Sequence, residues 1–187
     1  MEEVEEIQIE TSRIREYLTH LHAGERVLLT GDIYTVRDAA HQRLWELLEK
    51  RKPLPFPIQD AIFYYAAPAP AHPDMVTAAC GPTTSRRMDK FTPLLLNHGL
   101  AATIGKGDRS ESVEVAIREN AACHFAAVGG AGALLARCIQ SAEVAAFPDL
   151  GCEAVYRMHV KDFPLLVAID CRGGNLYRTG KAIYRQI

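Results

Sequence analysis

The stretch "LAATIGKGDRSESVEVAIRENAACHFAAVGG", residues 100–130, decides the fold. It opens on the apolar run "LAATIG", which reads as a buried strand. The glycine-bracketed "KGDRS" follows as a loop, and "SESVEVAIREN" reads as a helix. Asp108 and Glu111 have capping-box spacing and mark the start of that helix. "CHFAAVGG" then returns to a strand. Two strands joined by a crossover helix lie parallel in one sheet.

The neighbouring segments extend this pattern. Downstream, "AGALLARCI" reads as a helix and "SAEVAAF" as a strand. From residue 151, "CEAVYRMHV" and "PLLVAIDC" read as a hairpin closed by the turn "RGGN", an antiparallel addition. Upstream, "KFTPLLLNHG" is a short helix with Gly99 available as its C-terminal cap. "DAIFYYAAPAPAHP" is a strand followed by a proline-rich bend that no central strand tolerates. "RDAAHQRLWELLEK" places Ala40, Leu44, Leu47 and Leu48 at helical spacing, and "KPLPFP" stops that helix. Before it, "TSRIREYLTHLHAGERVLLTG" gives a short helix, a turn at Gly24 and a strand. No internal repeat or low-complexity linker interrupts the chain. The expectation is one α/β domain over residues 1–187, with a central parallel sheet, an additional antiparallel sheet, and residues 1–10 as an acidic N-terminal extension.

Composition narrows the function classes. The 187 residues carry 21 Lys+Arg against 23 Asp+Glu, so no basic field is available for nucleic acid or an anionic membrane. Any positive site must be local. Cys80, Cys123, Cys138, Cys152 and Cys171 are odd in number and widely scattered. That pattern suggests neither a zinc site nor a disulfide framework, and buried reduced thiols are expected. The acidic start lacks a signal-peptide stretch and no apolar run of membrane-spanning length occurs, so a cytoplasmic chain is expected.

Three loops hold chemistry. In "GDIYTVRDAAH", Asp32 or Thr35 caps the following helix and leaves Arg37 near its N-terminus. Unpaired amides and the helix dipole favour anions there, and a guanidinium adds a fork shaped for carboxylate or phosphate. The plainer reading pairs Arg37 with Asp38 or a glutamate at the surface. "GPTTSRRMD", residues 81–89, joins a rigid bend to the hydroxyls of Thr83 and Thr84 and to two arginines. If extended, it turns Arg86 and Arg87 to opposite sides, so one of them joins the threonines; the plainer reading is a turn capping a helix from Asp89. In "IGKGDRSES", Lys106 sits between glycines after a strand and before a helix, where α/β sheets contact anions. Its spacing from Gly99 does not fit a nucleotide phosphate loop, and "VGGAGALL" lacks a dinucleotide fingerprint, so close packing explains its glycines. Together the loops describe a receptor for a small dianion, with no ordinary general base and no metal ligands.

The run "GPTTSRRMDKFTPLLLNHGLAATIGKGDRS", preceded by "LLTGDIYTVRDAAHQRL" and "AIFYYAAPAPA", closely resembles the C-terminal part of class I, iron–sulfur-dependent fumarate hydratases. It is similar also to tartrate dehydratase beta subunits. The likeness runs from about Gly31 to Asn175. It implies a swivelling β/β/α fold and a separate beta subunit whose alpha partner carries a 4Fe–4S cluster, with none bound by this chain. It implies Thr83 as the base, and Thr84, Arg37, Arg87 and Lys106 as ligands of a dicarboxylate. Arg87 rather than Arg86 matches the "R-M-D" arginine of that family. "IGKGDRS" looks fumarase-like, which favours malate and fumarate over tartrate. A non-catalytic dicarboxylate-binding module is the alternative of another class, and a higher heteromer or a homodimer is compatible with either reading.

Overall fold

The computed structural model describes residues 6–70 and 75–185. The expected alternation of strand and helix is present. β1 (Glu6–Glu10) leads through a 3-10 turn into α1 (Ile14–Leu18), then come β2 (Arg26–Thr35) and α2 (Asp38–Glu49). β3 (Ile62–Tyr64), α3 (Thr92–Asn97), β4 (Ala102–Gly105), α4 (Glu111–Glu119) and β5 (Cys123–Ala126) continue the pattern. α5 (Gly132–Arg137), β6 (Ile139–Ala146), β7 (Val155–Ile169) and α6 (Leu176–Tyr184) complete it. Part of the acidic start is therefore β1, which runs parallel to β2; residues 1–5 lie outside the described residues.

β2, β3, β4 and β5 pair in parallel, as the crossover helices dictate. β7 runs antiparallel to β5 on one edge and to β2 on the other, which closes a five-stranded barrel. The expected separation into a parallel and an antiparallel sheet is thus replaced by one seven-stranded sheet closed on itself, with β1 and β6 as side strands. The expected hairpin is also corrected. "CEAVYRMHV" and "PLLVAIDC" form the single long strand β7, whose backbone breaks stride at Asp162, where φ is +50°. β7 reaches β2 because Gly31 bulges there: its φ is +119°, the register shifts between Leu29 and Gly31, and Thr11 packs where a Cβ would sit. "RGGN" is a turn into α6. The Asp170 carboxylate accepts from the Arg172 and Gly174 amides, both at 2.8 Å, and Asn175 caps α6 by accepting from Tyr177 N–H at 2.9 Å.

Strand alternation divides the core in two. Leu29, Ile33, Tyr64, Ile104, Phe125, Phe163 and Val167 belong to one buried cluster drawn from all five barrel strands, which fills the barrel. Phe63 and Tyr65 face the other way and pack with Ala40, Leu44, Leu95, Leu96, Val113 and Ile117, the inner faces of α2, α3 and α4. The helices therefore coat one flank of the barrel and leave the C-terminal ends of β2, β3, β4 and β5 to the connecting loops.

Candidate functional site

These strand ends hold the sequence-predicted residues. β2 is prolonged by Val36, whose N–H donates to Tyr64 O at 2.9 Å, so Arg37 emerges at the edge with an extended backbone and stands as the N-cap residue of α2. Neither Asp32 nor Thr35 caps this helix, contrary to expectation. Asp32 instead pairs with Arg157 and with His159, at 2.9 Å from the latter, and Thr35 Oγ1 accepts from Tyr156 N–H at 3.1 Å. Both side chains are spent on fastening β2 to β7.

Past β3, the chain returns so that Thr83 N–H and Thr83 Oγ1–H both donate to Tyr65 O, at 2.7 and 2.9 Å. Thr84 then forms a parallel bridge with Lys106: Lys106 N–H donates to Thr83 O at 3.2 Å and Ser85 N–H to Lys106 O at 2.9 Å. Thr83, Thr84 and Lys106 thus occupy adjoining backbone positions. Gly105 makes this approach feasible, since a Cβ there would overlap the buried Ser85 hydroxyl and lie 2.9 Å from the Tyr65 ring. Gly129, after β5, clears the way for the lysine itself; a Cβ on it would lie 3.4 Å from Lys106 Cδ. Of the "VGGAGALL" glycines, Gly129 and Gly132 serve close packing, Gly132 meeting Gly81 backbone to backbone, whereas Gly130 has open space about it and a φ of +85°.

The segment Ser85–Met88 is a 3-10 turn, so the expected extended alternation of Arg86 and Arg87 does not occur. Arg87 reaches α2 and pairs with Asp38, with Nε to Oδ1 at 3.0 Å. Arg37 lies 3.4 Å from Glu153, which bears out the plainer reading of that residue, and its buried Nε has no hydrogen-bond partner among the described residues. The structure therefore gathers the backbones of Thr83, Thr84 and Lys106 into one group, while Arg87 pairs with Asp38 at the start of α2 and Arg37, the N-cap residue of the same helix, pairs with Glu153. The 3-10 turn links them.

Sequence reasoning missed what underlies this arrangement. Arg109 is buried, with Nε donating to Asp89 Oδ1 at 2.7 Å and its other nitrogens to Thr92 Oγ1 at 2.7 Å, Thr103 Oγ1 at 3.2 Å and Tyr65 OH at 3.3 Å. Asp89 Oδ2 accepts from Ser110 N–H at 2.6 Å, so Ser110 becomes the N-cap position of α4 and the expected Asp108–Glu111 capping box is not formed. Asp108 instead accepts from Asn175 Nδ2 at 3.1 Å, and Gly107 N–H donates to Tyr177 OH at 3.0 Å, so α6 holds the lysine loop from outside. The one available signal was a second cation, Arg109, three positions after Lys106 in the same short loop.

Two histidines beneath the site are fully buried. His41 Nδ1–H donates to Arg37 O at 2.9 Å and its ring packs against Tyr65 and Phe91; burial lowers its pKa from 6.5 to about 4. His124 lies beside Thr103, and burial followed by the Arg109 charge holds it well below its ordinary value. The native state refuses protons that the unfolded chain accepts from about pH 6.5 downward. Stability is therefore full above that pH and falls as pH drops toward 4, with ~3 kcal/mol assignable to His41. Thermal unfolding from pH 7.5 to 4.5 is expected to show this decline, with a shallower slope in His41→Phe. An unchanged slope in that variant refutes the assignment.

Burial pushes the Cys80 thiol up to about 12 and Cys123 well above its ordinary range, and no three His, Cys, Asp or Glu residues converge as a metal would need among the described residues.

A family model described as "Fumarase C-terminus" matches residues 1–180. "Fumarate hydratase 2" of Leishmania major is 35% identical over 88% of this chain and 29% of its own length. "Fumarate hydratase class I, anaerobic" of Escherichia coli (strain K12) is 35% identical over 94% of this chain and 33% of its own length. "Putative L(+)-tartrate dehydratase subunit beta" of Methanocaldococcus jannaschii is 34% identical over 89% of both chains. The chain thus spans about a third of the fumarate hydratases and most of the tartrate dehydratase subunit.

Proposed function

This chain belongs to the fumarase C-terminus family, and from that membership we propose that it is the beta subunit of a hydro-lyase interconverting (S)-malate with fumarate and water. It works with an alpha subunit that carries a 4Fe–4S cluster, in the cytoplasm. No helix among the described residues is long and apolar enough to cross a membrane, which suits that setting. The proposal includes the three-layer swivelling β/β/α arrangement, with α2, α3 and α4 as the helical layer.

The observation that carries the reading is the Thr84–Lys106 bridge at the C-terminal edge of the barrel. It brings the backbones of Thr83, Thr84 and Lys106 together, which supports a reading in which their two hydroxyls and the ammonium serve one ligand, with Arg37 and Arg87 reaching it from α2 and the 3-10 turn. Such a group suits a small molecule with two carboxylates. Arginine supplies forked donors, lysine a point charge, and the threonines short-range donors. Arg37 and Arg87 exchange their present carboxylate partners, Glu153 and Asp38, for those of the substrate.

In the dehydration direction Thr83 takes the proton from the carbon next to a carboxylate while hydroxide departs from the neighbouring carbon. In hydration Thr83 returns that proton. A threonine oxygen manages this only where nearby cations favour its alkoxide by more than loss of water disfavours it, and Lys106 and Arg87 supply the cations, whose pull is strongest where water is excluded. The Tyr65 carbonyl, by accepting the Thr83 hydroxyl hydrogen in the resting state, fixes where the remaining lone pairs point.

L-Tartrate dehydration is the second reading, favoured by the chain's coverage of the tartrate dehydratase subunit over most of its length. The deciding experiment is anaerobic assay of this chain with its reconstituted alpha subunit against fumarate, (S)-malate and L-tartrate. Turnover of fumarate and malate that needs both chains is the expected result. Turnover of tartrate alone transfers the chain to the second reading. Dicarboxylate binding without any turnover makes it a non-catalytic module.

A further inference from the structure

We propose that Arg109 is a positioning residue: through its ion pair with Asp89 it sets the distance between the two loops that carry Thr83 and Lys106. The inference rests on the hydro-lyase reading of that site. Asp89 lies six positions after Thr83 and Arg109 three after Lys106. The Thr84–Lys106 bridge joins the two loops at one end, and the Asp89–Arg109 pair joins them at the other. Asp89 spends its second oxygen on the Ser110 amide, so its carboxylate grips the lysine loop twice, at 2.7 and 2.6 Å.

A simple structural ion pair would need only one good partner. Arg109 instead has its guanidinium spread over Asp89, Thr92, Thr103 and Tyr65 OH, and over the Tyr65 ring at 5.3 Å. Thr103 lies within β4, three positions before Lys106 on the strand that leads to it. Tyr65 is the residue whose carbonyl receives the Thr83 hydroxyl. One guanidinium thus touches the supports of both reacting positions, from beneath and out of contact with them. The planar fork fixes direction as well as distance, which an ammonium does not. Misplacement of reacting groups by about 1 Å costs ~100-fold in rate.

The test uses the assembled two-subunit enzyme with Arg109→Lys, Asp89→Asn and the double variant. Each single variant is expected to lower kcat about 30- to 100-fold with KM within about threefold, because the ligating arginines are untouched. The double variant should lose no more than the worse single one, since both changes break the same link. Backbone hydrogen exchange should quicken together in residues 83–89 and 106–110, with β2 and β7 unchanged. Asp89→Asn, which keeps the shape of the side chain, carries the test if Arg109→Lys does not fold. The proposal is overturned if kcat stays within threefold of wild type, if lost activity merely tracks lost folded protein, or if exchange quickens in one loop alone. If the wild-type enzyme turns over no dicarboxylate, the hydro-lyase reading falls, and the exchange measurement still decides whether the pair couples the loops.

Discussion

Thr83→Ala is expected to abolish measurable hydration of fumarate in the assembled enzyme, with a loss of about 10²–10⁴ in kcat, the range spanned by removing a positioned proton-transfer group. Thr83 is half-buried and its side chain makes one hydrogen bond, to Tyr65 O, so folding should survive the change. Lys106→Ala should fall in a similar range but divide its effect differently. The lysine both holds a carboxylate and favours the Thr83 alkoxide, so KM rises while kcat falls. Steady-state kinetics on the two variants separate these roles. Full activity in Thr83→Ala would leave the Gly-Pro bend as a turn and nothing more.

The second large effect concerns stability. Gly31→Ala is expected to destabilise the chain by about 3–5 kcal/mol, measured by urea unfolding. A side chain at φ +119° is strained by about 1–3 kcal/mol, and its Cβ would overlap Thr11, adding about 1–3 kcal/mol of overpacking. Thr11→Ala in the same chain should recover only the overlap, and not all of that. Thr11 Oγ1 also accepts from Asp32 N–H at 2.9 Å, a bond the second change removes. A Gly31→Ala chain as stable as wild type would mean that the β2–β7 bulge relaxes freely, and the register argument would fail.

Much of this architecture was legible because it is local. β4, α4 and β5 follow one another within a short span, and their apolar periods switch from strand to helix and back in a way that one sheet satisfies. β7 was not legible as one strand. Asp162 in its positive-φ conformation and Pro164 nearby interrupt the apolar pattern, as a turn does. What keeps the strand continuous is distant: Asp162 N–H donates to Thr30 Oγ1 at 3.1 Å, and Lys161 N–H to Cys138 O at 2.8 Å. Closure of the barrel is likewise a property of both edges of β7, which no local period encodes.

The site divides along the same line. Thr83, Thr84 and Lys106 stood out because glycine and proline beside them announce turns where backbone approaches a ligand. Arg37 and Arg87 stood out as cations near a helix start. Arg109 drew no reading of its own, since an arginine in a loop is ordinarily exposed. Its burial depends on Asp89, twenty positions earlier in the chain, and on hydroxyls from three other segments. A pairing of that kind leaves no spacing to read.

The position of β7 in the chain also governs how the protein is born. β2 emerges early during synthesis and β5 well after it, and each keeps an unpaired edge until residues 155–169 arrive to bind both at once. The nascent chain therefore passes a long interval as an open, sticky sheet, in which contacts of greatest sequence separation form last. The strand that completes the barrel is in effect the latch of the folding reaction.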